Sequence, residues 1–229
     1  MTGIEREVVL VTDVSSDLGR QLADATVRAG APRVYACAPE ITVFDADRVI
    51  PLAVDANDPA SVTAMCVRAS DVSMVLSTFS SSTWPPVAVG GGDVAALARH
   101  FSSTVLRTVR VLSALAPGLS VRGGGVIVCV VSVQAWLNLT GAFAVAQSAL
   151  WSAINALRLE LRGAGIQVIA AVGAFDEADD PSVEAAAEGI LAAVRDRRSG
   201  EFVLDAYSES VRARLSGPLE MLYPEIDEQ

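Results

Sequence analysis

Short apolar runs rich in β-branched residues recur along the chain, and after most of them comes a longer stretch whose apolar positions return every three or four residues. The pattern predicts strands at 7–12, 33–37, 49–53, 72–77, 125–131, 166–171 and 201–204, and helices at 17–29, 59–69, 93–116, 139–162 and 181–197. A run such as Val126-Ile127-Val128-Cys129-Val130-Val131 is apolar on both of its faces, as expected of a strand covered by helices from two sides. Strands separated by helices imply parallel crossovers, so the expected architecture is a doubly wound α/β parallel sheet of about seven strands with helices on both faces. Local signals agree with these boundaries. Asp58 and Pro59 read as an N-cap and first helical residue, and Gly90-Gly91-Gly92-Asp93 ends a loop at a capping residue. No linker or change of composition interrupts the pattern, so residues 1–229 are expected to form one domain. Ligands of such sheets bind beyond the carboxyl ends of the strands, which directs attention to the residues after Thr12, Cys37, Leu76, Val131 and Ala171.

Composition narrows the classes of function. A net charge of -10 and an isoelectric point near 4.5 oppose binding to a polyphosphate backbone, so no nucleic-acid partner is expected. Cys37, Cys66 and Cys129 are odd in number, widely spaced and set in apolar runs, which reads as buried thiols rather than a disulfide framework or a metal site. The first seven residues lack the basic and apolar regions of a secretory leader. No uncharged span of about 18 residues stands out as a membrane helix, so a cytoplasmic protein with no membrane partner is expected.

Several segments, in order, resemble the short-chain dehydrogenase/reductase family across nearly the whole chain. Val9-Leu10-Val11-Thr12 through Gly19 is similar to that family's first strand and TGxxxGxG turn, and Leu52 to Asp58 to its adenine-side strand and aspartate. Asp71-Val72-Ser73-Met74-Val75-Leu76 with Ser77 to Ser80 stands where the family has its DVLVNNAG strand. Val126 to Ser132 resembles the strand that ends in the catalytic serine, and Gly165-Ile166-Gln167-Val168 the later GIRV strand. The resemblance implies a single Rossmann-like domain.

Position by position, the resemblance also implies missing chemistry. In the cofactor turn the first two glycine positions are Asp13 and Asp17, and only Gly19 is kept; Asp55 matches the adenine-side aspartate, although such a residue is often turn chemistry. A carboxylate about 4 Å from a phosphate costs from about 1 to about 4 kcal/mol as the effective dielectric falls from about 80 to about 20. Two of them would offset much of the roughly 8 kcal/mol of a micromolar affinity. Asp17 is expected to cap the following helix and to stand in for a phosphate there. After the second strand, Ala38-Pro39-Glu40 offers no arginine for a 2′-phosphate. The YxxxK pair falls at Phe143 and Gln147, the serine at Ser132 and the helix asparagine at about Thr104. Phe143 has no ionisable proton and Gln147 no charge, so proton transfer by that route is lost. The only histidine, His100, shares a stripe with Ser103, Arg107 and Arg110 and reads as part of a solvated face. The substrate lid is shortened near 173–181.

Helix 139–162 carries a small-residue stripe at Ala142, Ala146, Ala149, Ala153 and Ala156 beside a large apolar stripe that includes Leu150, Ile154 and Leu157, with Trp151 elsewhere on its circumference. An arc this wide suggests a second packing surface, so Ala142, Ala146, Ala149, Leu150, Trp151, Ala153, Ile154 and Leu157 are expected at an interface, with loops of the same chain as the alternative cover. The family includes hetero-oligomers that pair a competent subunit with a degenerate one, and the Ala-, Val- and Arg-rich composition is actinobacterial-like. The resemblance therefore implies a catalytically inactive structural or regulatory subunit that binds no cofactor or metal itself. Its partner would be an active paralogue holding NAD or NADP, or a second copy of the chain. Two other readings stay open. One is an NAD(P)-dependent oxidoreductase with an atypical site; the other is a small-molecule binding module that uses the cleft around Thr78, Phe79, Ser132 and Phe143.

Overall fold

The computed structural model describes residues 3–41, 43–78, 89–137, 139–174, 181–196 and 200–223. Seven strands form one fully parallel sheet: β1 (Val8–Val11), β2 (Arg33–Ala38), β3 (Val49–Ala53), β4 (Met74–Ser77), β5 (Gly125–Ser132), β6 (Ile166–Gly173) and β7 (Gly200–Val203). Their spatial order is β3-β2-β1-β4-β5-β6-β7, with the chain reversing its winding direction between β1 and β4. Strand residues alternate between two apolar layers. Leu10, Ile127, Cys129, Val168 and Ala170 pack on one side, and Val9, Val11, Val128, Ile169 and Ala171 on the other. Both faces of the sheet are covered by apolar side chains, which is why these strands read as continuous apolar runs.

The first layer is closed by α2 (Pro59–Arg68), α4 (Arg107–Val121) and α5 (Ala142–Leu161), and the second by α1 (Asp17–Arg28) and α6 (Pro181–Arg195). Arg28 ties the last two together through Glu188 at 3.1 Å and Glu184 at 3.8 Å. All three side chains are about half exposed or more, so these pairs contribute little beside the apolar contact. At one edge of the sheet, Arg48 and Val54 bond towards β2, so Val49, Pro51 and Ala53 face outward. Pro51 removes the central outward donor of that edge and protects it from pairing with another strand.

The expected helix 93–116 is longer and irregular. It runs as α3 (Val94–Phe101), a π-helical segment Ser102–Leu106 and α4, passing through Pro117, which lies on the exposed side. The run Val94–Val121 is long and apolar enough to cross a membrane by length and composition alone, and 44% of its most apolar window is buried inside this chain. The helix ends at a glycine corner. A Cβ on Gly124, at φ 117°, would lie 2.2 Å from the Gly165 carbonyl oxygen. Helix α5 starts at Ala142 rather than at 139, because Gly141 takes φ 58° and ψ -122°, a conformation suited to glycine. A helix absent from the sequence pattern, α7 (Ala206–Arg214), follows β7, capped by Asp205 and burying only Ser208 and Val211.

Candidate functional site

The carboxyl ends of β1, β4 and β5 converge where the winding reverses. Thr12 extends the β1 ladder by donating its N–H to the Leu76 carbonyl at 3.0 Å. Thr78, just after β4, donates its N–H to Thr12 Oγ1 at 3.1 Å and its hydroxyl to the Asp13 carbonyl at 3.0 Å. Thr12, Asp13 and Thr78 are each buried, so the turn that follows is clamped at its base.

Asp13 does not project out of that turn. Its Oδ1 accepts the Ser15 N–H at 3.0 Å and the Ser15 hydroxyl in a short contact, which folds the carboxylate back onto its own loop. The helix cap is Ser16, not Asp17. Ser16 Oγ accepts the Gly19 N–H at 3.2 Å, while Asp17 is the first helical residue and its side chain lies in water. A negative charge there suits the helix dipole and is screened by solvent. Gly19 is required by contact, since a Cβ would stand 1.8 Å from the Asp13 carbonyl oxygen. Of the first helical amides, those of Asp17 and Leu18 have no acceptor among the described residues, as is usual for the first turn of a helix. An anion at this turn would be met by backbone dipoles, not by side chains.

On the far side of β1, Asp55 serves its own loop. Its Oδ1 accepts the Asn57 N–H at 2.8 Å, its amide donates to Ser61 Oγ at 3.0 Å, and Arg110 reaches across from α4 to hold the Ala56 carbonyl at 2.7 Å. Glu40 is exposed after β2.

At β5 the geometry is different in kind. Ser132, paired with Gly173 of β6, spends its hydroxyl as the cap of a short 3-10 turn, accepting the Gln134 N–H at 3.2 Å. The Ser132 N–H donates to Gln147 Oε1 at 3.0 Å. Gln147 is 5% exposed and acts as a strut between α5 and the strand end. Ser148 adds a second tie to the Ala135 carbonyl at 2.8 Å, and Gln134 Oε1 receives the Leu139 N–H and the Thr140 hydroxyl. Phe143, one turn before Gln147, meets His100 edge-on. Thr104 is fully buried in the π-helical segment, and Thr108 donates its hydroxyl to the Thr104 carbonyl at 2.6 Å. The structure thus joins Ser132 to Gln147 directly and packs the helix of His100 and Thr104 against α5.

Other ionisable groups among the described residues lie elsewhere or are perturbed by burial. All 17 basic residues are arginine, so the chain has no lysine at all. Tyr35 donates to Asp71 at the opposite, amino-terminal edge of the sheet. Burial pushes the Cys37 and Cys129 thiols up to about 12 and raises Cys66 as well, which removes them as nucleophiles. Among the described residues no cluster of three or more metal-ligating side chains occurs.

Two sequence expectations are corrected by packing. His100 is 1% exposed rather than solvated, because the π-helical segment adds a residue to the turn and breaks the stripe drawn from His100 to Arg107 and Arg110. In α5, Ala142, Ala146, Leu150, Ile154 and Leu157 are buried within this chain, under α3, the π-helical segment and the β5–α5 turn. Ala149, Trp151 and Ala153 are half-buried, and Trp151 donates to Glu201 at 2.5 Å. The solvent-facing line of α5 is instead Val145, Ser152, Ala156 and Leu159, the last 74% exposed. The alternation had no signal for Asp205, which accepts the Ala174 N–H at 2.8 Å and so fixes the chain just beyond β6. Phe79 and positions 175–180 of the shortened lid lie outside the described residues.

No protein-family model matches the chain, and no curated protein matches it. Solved structures do. A short-chain dehydrogenase from Burkholderia cenocepacia J2315 in complex with NADP is 22% identical, with 98% of this chain and 99% of that one covered and a TM-score of 0.85. A short-chain dehydrogenase from Streptomyces avermitilis is 21% identical, covering 97% of each chain with a TM-score of 0.79. Acetoin dehydrogenase YohF from Salmonella typhimurium is 14% identical over 91% of this chain and 99% of that one, at a TM-score of 0.75. The fold is therefore that of the short-chain dehydrogenases. The first of these structures corrects the expectation that no cofactor belongs to this chain, since the same fold over the same length holds NADP in that protein. The physical reason lies in the turn: the carboxylates counted against a phosphate are folded back at Asp13 and solvated at Asp17, and the helix-start amides stay open.

Proposed function

We propose that this chain is a member of the short-chain dehydrogenase/reductase family that keeps the backbone cradle for NAD(P) but has lost the side chains that move the proton. It serves as a non-catalytic structural or regulatory subunit beside an active NAD(P)-dependent reductase. The observation that carries this reading is the pair Phe143 and Gln147 in a chain without lysine, with Gln147 already committed to the Ser132 amide. A phenol and a nearby ammonium are needed to protonate a carbonyl oxygen or to deprotonate an alcohol by the family's route, and Phe143 and Gln147 supply neither at those positions. The dinucleotide would rest on the Asp17 and Leu18 amides and beside the loop of Asp55 and Ala56; when bound, NAD(P)H supplies the hydride. The exposed line Val145, Ser152, Ala156 and Leu159 on α5, with Val121 on α4, supports contact with a second subunit better than the buried alanine stripe does.

The test has two arms. The isolated chain should bind NADPH or NADH saturably but leave a panel of ketones and aldehydes unreduced. Isolated from its source, it should travel with a subunit carrying an intact tyrosine and lysine. A homo-oligomer without such a subunit would count against the partner role, and steady turnover by the isolated chain would count against inactivity. The NADP-bound neighbour favours a second reading, an oxidoreductase with an atypical proton-transfer site, and the same turnover assay separates the two.

A further inference from the structure

We propose that Asp205 is a positioning residue of the candidate site: from the start of α7 it holds the backbone at Gly173 and Ala174, where the chain leaves β6 beside Ser132. Its effect on a bound dinucleotide rests on the reading given under Proposed function; its hold on the backbone does not.

The placement follows from the sheet. Strands β6 and β7 pair in parallel from Ile169 with Gly200 to Val172 with Val203, and the Leu204 N–H continues the ladder by donating to the Val172 carbonyl at 2.8 Å. Asp205 comes next, as the extended N-cap of α7 at φ -145° and ψ 160°. On the other side of β6, Gly173 pairs with Ser132 of β5. Asp205, Ala174 and Ser132 therefore lie at the same end of three adjacent strands, the carboxyl end at which sheets of this winding bind their ligands.

The Asp205 carboxylate does more than a cap requires. Oδ1 accepts the Ser208 N–H at 2.8 Å, which is the capping bond. Oδ2 accepts the Ala174 N–H at 2.8 Å and the Ser208 hydroxyl at 2.9 Å. A serine or threonine caps a helix with one short-reaching oxygen. An ionised carboxylate has two oxygens and no donor, so it serves the helix and the distant amide together.

Helix α7 is braced by contacts that do not involve Asp205. Arg212 pairs with Glu201 of β7 at 2.9 Å, Glu201 also accepts the Trp151 indole N–H from α5, and Val211 is fully buried in the first apolar layer. The Glu201 side chain is 15% exposed, so this pair is shielded from water better than those of Arg28. The carboxylate thus projects from a fixed helix start, and the bond to Ala174 carries that position into the site. Without that bond, the last tie from this edge to β6 is at Val172, two residues short of Ala174.

The experiment compares the full-length wild type, Asp205→Ser and Arg212→Ala by residue-resolved amide exchange, thermal melts and NADPH titration. Asp205→Ser keeps a capping oxygen but cannot reach Ala174, whereas Arg212→Ala loosens α7 and leaves the bond to Ala174 in place. Exchange at Ala174 should rise at least about tenfold in Asp205→Ser and less than about twofold in Arg212→Ala, with the amides of 208–214 still protected in Asp205→Ser. NADPH affinity should fall at least about threefold in Asp205→Ser, with a melt no lower than that of Arg212→Ala. Unchanged Ala174 exchange in Asp205→Ser, an equal rise in Arg212→Ala, or NADPH affinity undiminished once Ala174 is released would overturn the inference. If the wild type binds no NADPH, the dinucleotide reading fails and the exchange at Ala174 alone decides this inference. Should Asp205→Ser fail to fold, the wild type decides: a protected Ala174 amide supports the inference, and exchange at the intrinsic rate overturns it.

Discussion

The turn after β1 and the junction of β5 with α5 both carry residues other than those the fold's resemblance leads one to expect, yet the two departures differ. In the turn, Asp13 and Asp17 stand where the resemblance has glycines, with the Asp13 carboxylate folded onto Ser15 and Asp17 exposed, and under the proposed reading the work there falls to backbone amides. At the junction, the work falls to side chains. Under the proposed reading Phe143 and Gln147 cannot do it, and Gln147 serves as a strut between α5 and the end of β5. On that reading, backbone-borne function survives substitution when the chain path survives, and function borne by side chains does not.

The sharpest way to break this contrast is at Gly19. Gly19→Ala puts a methyl 1.8 Å from the Asp13 carbonyl, so the turn must deform. The expected cost is about 3 kcal/mol or more in denaturant unfolding, together with loss of dinucleotide binding. Next is Gln147→Ala, which leaves the Ser132 amide without its acceptor and should cost about 1–3 kcal/mol. Gln147→Glu keeps an acceptor and should cost less by the same measurement. Phe143→Tyr alone should yield no carbonyl reduction, since Gln147 carries no charge to lower the phenol pKa; product formation by that variant would show that another group supplies it.

Smaller effects refine the comparison. Because the folded pKa of His100 lies below its unfolded value, the unfolded state takes up more protons as pH falls through about 6.5. Stability should therefore decline on acidification through that value and down to the folded pKa, and His100→Phe should flatten that part of the curve, as read by thermal melts across pH. The smallest expected change is at Asp13. With its carboxylate turned onto Ser15 rather than the helix start, Asp13→Gly should raise NADPH affinity by less than about tenfold, or about 1.4 kcal/mol. A gain near a thousandfold would mean that the carboxylate faces the phosphate after all.

The parallel sheet was legible because apolar runs such as Val126 to Val131 and the helical periods between them leave few other arrangements. Phe143 and Gln147 were located through the family resemblance, by counting back from Gly165-Ile166-Gln167-Val168. Side-chain direction was not legible. Nothing in the order Asp13, Ser15, Ser16, Asp17 says that Ser16 caps the helix and Asp13 folds inward. The π-helical segment has no compositional mark, and it misplaced His100. The alanine stripe of α5 read as spare surface because a helical projection cannot show that α3 lies against it. The short, polar α7 buries too little to leave a period.

The most direct measurement of the contrast is a titration of the isolated wild-type chain with NADPH, followed by its fluorescence and then, after adding a panel of carbonyl compounds, by its absorbance over time. The expected result is a saturable fluorescence change, weakened by Gly19→Ala, and an absorbance that stays constant. Steady loss of NADPH absorbance in the wild-type chain, or no saturable binding at all, would contradict the division between a backbone cradle that persists and a proton-transfer site that does not.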